Sequence, residues 1–127
     1  MPVLFLFIGP LSAQTGINYS ITSDQIIIFG QNISMASTIE KTDTTLNWVQ
    51  NTDDNSNTIS YTIDDTSGTW DKATSQGTLT QLLSKTGFTA SFKLVGTNDG
   101  ISATLTVKQE DSEAIEYTFN VSNITYP

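Results

Sequence analysis

FTASFKL (88–94), ISATLTV (101–107) and IEYTFNV (115–121) are the stretches on which the fold turns. In the first, Phe88, Ala90, Phe92 and Leu94 alternate with Thr89, Ser91 and Lys93; Ile101, Ala103, Leu105 and Val107 repeat the pattern, as do Ile115, Tyr117, Phe119 and Val121. Successive side chains on a strand point to opposite faces, so an apolar period of two predicts three strands, each with one buried face. The connectors, 96–100 and 109–112, are rich in Gly, Asn, Asp and Ser and short enough for antiparallel hairpins. Ile124 and Tyr126 fall out of phase with Val121, which predicts a bulge near Asn123.

The N-terminal half reads in the same way. Ile17, Tyr19 and Ile21 alternate, and Ile33, Met35 and Ile39 do so again after the continuous run Ile26 to Phe29, which fits a strand covered on both faces. Leu46 and Trp48 lead into a polar loop over 51–57, from which Ile59, Tyr61 and Ile63 return. About eight β-branched strands predict an all-β fold: an antiparallel β-sandwich, immunoglobulin-like or similar, with a small β-barrel as the alternative. Thr78 to Ser84 is the exception, since Leu79, Leu82 and Leu83 have helical spacing and Gly87 could end a turn, so one short helical crossover is expected there.

The start of the chain has a different character. Val3 to Ile8 is an apolar run, Gly9 and Pro10 break it, and Ala13 stands before a plausible cut, which is the shape of the later part of a secretory signal peptide. Residues 1–13 are therefore read as a leader incomplete at its start, because no Lys or Arg precedes the run, and 14–127 as one β domain. The expected location is secreted, extracellular or periplasmic. The other reading keeps Val3 to Ile8 as a strand donated to a neighbouring subunit, which would make the chain an extracellular filament subunit. The apolar run is too short for a transmembrane helix, and no later segment is a candidate.

Composition removes whole classes of function. Thirteen acidic residues face five basic ones, all lysine, for a net charge of −8, and such a chain is poorly suited to neutralising nucleic-acid phosphates or anionic lipid. Neither His nor Cys occurs, so Ser–His–Asp and Cys–His catalysis lack their base, and zinc, haem and iron–sulfur centres lose their usual ligands. Oxygen ligands for calcium are what remains.

Asp53, Asn55 and Asn57 alternate, with Asp64 eleven residues after Asp53, which gives a calcium candidate by spacing. Thr58 stands where a calcium loop needs glycine, and the same residues serve equally as a solvated hairpin loop. Asp64, Asp65 and Asp71 form the nearest carboxylate cluster for acid–base work. Neighbours on a strand point to opposite faces, which argues against an enzyme.

Trp48 shares a face with Leu46 and reads as core, whereas Trp70, between Gly68, Thr69 and Asp71, is the aromatic that could stand exposed, although burial at a strand end is the commoner fate of a tryptophan. Trp70 with Asp71 is accordingly the candidate ligand-binding pair, a ring on which a sugar face could stack. The triplet Gly68-Thr69-Trp70 also resembles the glycine-any-tryptophan signature of lipocalins, which implies an eight-stranded barrel carrying a small apolar ligand; in that family the triplet opens the barrel, whereas here 57 residues follow Trp70. Thr89, Ser91, Ser102, Thr104, Thr106 and Thr118 give the C-terminal strands a hydroxyl-rich outer face, and Asn18, Asn32, Asn120 and Asn123 head N-glycosylation sequons.

The expected function is a secreted, non-catalytic binding or adhesion domain that recognises a glycan or an extracellular protein surface. A lipocalin-like carrier of a small apolar ligand is the alternative that a cavity would favour.

Overall fold

The structure, a computed structural model, describes residues 13–14 and 16–127. The donated strand Val3 to Ile8 and all of the leader 1–13 except Ala13 lie outside the described residues, while Ala13 pairs with Asp71. Nine strands are present among the described residues: β1 (Ala13–Gln14), β2 (Tyr19–Ile28), β3 (Gln31–Thr42), β4 (Thr45–Asn51), β5 (Ser56–Asp71), β6 (Gln76–Lys85), β7 (Phe88–Thr97), β8 (Gly100–Gln109) and β9 (Ile115–Thr125). From β2 to β9 each strand pairs antiparallel with its successor, and β9 returns to pair with β2. The result is a closed, up-and-down barrel of eight strands.

The barrel replaces the expected sandwich. A sandwich keeps two sheets with separate edges; here the β2–β9 pairing completes the ring, and the sixteen residues of β5 carry the sheet without a break from β4 to β6. The first part of β5 pairs with β4 through Ser56–Thr62, and its second part pairs with β6 through Thr62–Asp71. The register slips between Ile63 and Asp65, leaving Asp64 as a bulge that helps turn the strand from one neighbour to the other. Alternation could not separate the two architectures, because inside and outside alternate along a strand in both.

The three C-terminal strands and their hairpins are where the period placed them. The bulge near Asn123 is present as well, since Thr22 pairs with Asn123 and Ser23 with Val121, skipping Ser122. Two expectations fail. Thr78 to Ser84 is no helix but the middle of β6, where Leu79, Gln81 and Leu83 point inward and Leu82 points out, half exposed. A polar residue inside and a leucine outside imitated helical spacing. The run Ile26 to Phe29 is not covered on both faces either. Ile26 is inside, Ile27 faces outward, and Phe29 is a hairpin-turn residue 81% exposed.

The interior is filled by apolar residues from every barrel strand, among them Ile21, Ile39, Trp48, Leu94, Leu105 and Phe119. The outer wall is polar, and the large hydrophobics exposed among the described residues are Phe29, Ile33 and Leu82. This is the reverse of a membrane-spanning barrel, which turns an apolar band to lipid and keeps its polar side within. No helix among the described residues is long and apolar enough to cross a membrane.

Candidate binding site

Strand direction sorts the turns between two ends. Turns 43–44, 72–75 and 98–99 lie at one end, and 29–30, 52–55, 86–87 and 110–114 at the other. The first end is closed by aromatic packing. Trp70, at the end of β5, is 0% exposed, and its indole N–H donates to the Tyr126 hydroxyl at 2.8 Å. That hydroxyl also meets Ser75 Oγ at 2.8 Å, with Lys72 Nζ 5.5 Å from the Tyr126 ring centre. Trp70 pairs with Gly77, which pairs with Gly96, so a row of glycines makes room for the indole. A Cβ on Gly96 would lie 2.6 Å from the ring's Cη2. Trp70 is therefore buried at its strand end, where it closes the barrel, and is not an exposed stacking platform. Asp71 is half-buried and accepts the backbone N–H of Ala73 at 2.9 Å, fixing the turn after β5.

Beside this closure the interior carries polar groups. Lys41 is buried; its ammonium donates to Asn18 Oδ1 at 3.1 Å, and Asn18 Nδ2 donates to Asp43 Oδ1 at 3.2 Å. Burial lowers the Lys41 pKa and the nearby Asp43 charge opposes that shift. The Tyr19 hydroxyl donates to Gln81 Oε1 at 2.9 Å, and burial holds this phenol far above its ordinary value, opposed by the bond to Gln81. Among the described residues Gln81 Nε2 has no partner.

The second end is open and forms a cup of about 270 Å³. All eight barrel strands line it: Ile26 and Ile28 of β2, Met35 of β3, Trp48 and Gln50 of β4, Ile59 and Tyr61 of β5, Lys85 of β6, Phe88 of β7, Val107 of β8 and Tyr117 of β9. These are inward positions near the open ends of the strands, so the period that packs the core also lines the cup. Trp48 anchors its floor, edge-on to Tyr117 at 5.0 Å and to Phe119 at 5.4 Å, with its indole N–H donated to Ser37 Oγ at 3.1 Å. Both ends of that ring are thus fixed, and the wall is preformed. The Tyr61 phenol is raised by burial and further by Tyr117. Cups of this kind, mostly apolar with a few polar groups, suit small ligands.

The calcium candidates do not converge. Asp53 and Asn55 lie in an exposed loop closed on itself by Thr52 N–H donating to the Asn55 carbonyl at 2.8 Å, while Asn57 Nδ2 faces Gln50 Oε1 at 3.5 Å. Asp64 stands seven residues further down the same strand than Asn57, roughly 23 Å away at strand rise. Among the described residues no three acidic side chains form a metal cluster.

The cup residues went unrecognised in the sequence because nothing in a period of two marks which end of a strand stays open. Comparison with family profiles, curated proteins and solved structures gives no match to this chain.

Proposed function

We propose that the protein is an exported, non-catalytic binding barrel that takes a small apolar molecule into the cup at its open end. The observation that carries this reading is the cup itself, built from inward side chains of all eight barrel strands over a fixed Trp48 floor. A dry cavity of 150 Å³ holds benzene, so by proportion the cup has room for about eleven non-hydrogen atoms. At about 0.5 kcal/mol per atom such a ligand gains about 5.5 kcal/mol, a dissociation constant of order 0.1 mM, tighter where polar groups also match. Glycan recognition through Trp70 loses its support with the ring buried. Export belongs to the proposal through the leader-like run ending at Ala13, and intact mass of protein from its native host tests it.

The binding test is calorimetric titration with octan-1-ol, on wild type and on Met35→Trp. Saturable binding by wild type, weakened at least tenfold when the larger ring fills the cup, is expected. Equal binding by both proteins would place the ligand elsewhere and end the proposal.

A further inference from the structure

The cup has a charge of one sign. Thirteen carboxylates against five lysines make the chain strongly acidic, yet no carboxylate lines the cup and one lysine, Lys85, does. Lys85 ends β6 at an inward position and is exposed at the rim, whereas Trp48 and Tyr61 are buried deeper in. Its ammonium lies 5.2 Å from the centre of the Phe88 ring, itself part of the wall. The other wall groups that can hydrogen-bond, Gln50, Tyr61 and Tyr117, are neutral side chains. Lys108 and Glu110 lie beyond Phe88 in an adjoining groove and do not line the cup.

On the reading of the cup as an apolar-ligand site, we infer that its ligands are amphipathic monocarboxylates, with the tail on Trp48 and the acid group on Lys85 at the rim. A compact ammonium on a flexible stem can meet a carboxylate while remaining partly solvated, and a cation with an apolar wall below it selects against neutral and cationic heads. The volume sets the tail. Octanoate, with about ten non-hydrogen atoms, fits the room estimated from the benzene cavity.

Three probes of equal chain length separate the head from the tail: octanoate, octan-1-ol and octylammonium, each titrated calorimetrically at pH 7 into wild type and Lys85→Gln. Expected is a wild-type preference for octanoate over octanol of about threefold to tenfold, the range of a partly exposed ion pair with a charge-assisted hydrogen bond. Octylammonium should bind worst. In Lys85→Gln the tail contacts persist, octanol binding changes far less than octanoate binding, and the preference for octanoate disappears. Raising salt to 1 M should shrink the wild-type preference and leave octanol binding in place. If octanol binds wild type as well as octanoate does, or if Lys85→Gln keeps the preference, the assignment of the acid group to Lys85 is overturned while the apolar cup stands. If none of the three binds, both readings fall together. Lys85 is exposed, so the variant should fold as wild type, which circular dichroism checks.

Discussion

Tyr19 and Gln81 form the polar pair most deeply enclosed in the barrel, 1% and 0% exposed, joined by one hydrogen bond of 2.9 Å, with the Gln81 amide nitrogen left without a partner among the described residues. Removing one member alone should differ sharply from removing both. Tyr19→Phe keeps the volume and deletes the bond, leaving both polar ends of Gln81 unpaired, which costs about 1–3 kcal/mol. Gln81→Met deletes the unpaired amide, a gain of about 1–3 kcal/mol, but orphans the tyrosine hydroxyl at about the same cost, so its net effect is near zero. The double variant loses a bond worth about 0.5–1.5 kcal/mol net and sheds the unpaired donor, ending between about 0.5 kcal/mol less stable and about 2.5 kcal/mol more stable than wild type. Equilibrium urea unfolding at pH 7, followed by tryptophan emission and circular dichroism, measures all four corners of the cycle. A double variant less stable than Tyr19→Phe would refute the reasoning, because it would mean that the amide nitrogen is satisfied in solution.

The same tyrosine shapes the alkaline limit. Tyr19 and Tyr61 have folded pKa values above 10.0, so the stability they contribute is intact below pH 10 and is lost as pH rises above it, while Lys41, lowered from 10.5, gives a rise confined to the range below 10.5. Urea unfolding should therefore show stability falling above pH 10.5, less steeply in Tyr19→Phe; an unchanged slope in that variant would contradict the assignment. Gly96→Ala should destabilise by about 1–3 kcal/mol, because its methyl would press on both the Trp70 ring and the Ser75 carbonyl; a variant as stable as wild type in thermal melts would show the base to be loosely packed. Phe29 occupies the first position of a two-residue hairpin turn at φ 52° before Gly30 at 75°, a conformation that asparagine adopts more readily than an aromatic residue. Phe29→Asn should accordingly stabilise by about 0.5–1 kcal/mol and raise the melting temperature, and a lower melting temperature would indicate that the exposed ring packs in solution.

Much of the wall was legible in the sequence, since strands, hairpins and the bulge near Asn123 all follow from a local period and turn chemistry. Closure was not. It depends on β9 pairing back with β2, Ile124 opposite Ile21, a long-range pairing with no local signature. β6 was misread for a related reason: Gln81 is inside because Tyr19, 62 residues away, receives it there, and no window around residue 81 contains Tyr19. Trp70 was the best aromatic candidate by its turn-like neighbours, Gly68 and Thr69. The glycines that bury it, Gly77 and Gly96, come from the two strands that follow in the wall. The cup is a consequence of the same geometry, because inward positions become core or wall of a cavity according to which end of the barrel the chain fills.

The two tryptophans report on the two ends of the barrel separately, Trp48 in the cup wall with its indole N–H on Ser37, and Trp70 at the closed base with its N–H on Tyr126. Nitrogen-15 correlation spectra of the indole N–H groups during a titration with octan-1-ol therefore test the cup directly. The resonance of Trp48 should move saturably while that of Trp70 stays fixed. Equal movement of both, or none at Trp48, would contradict the account.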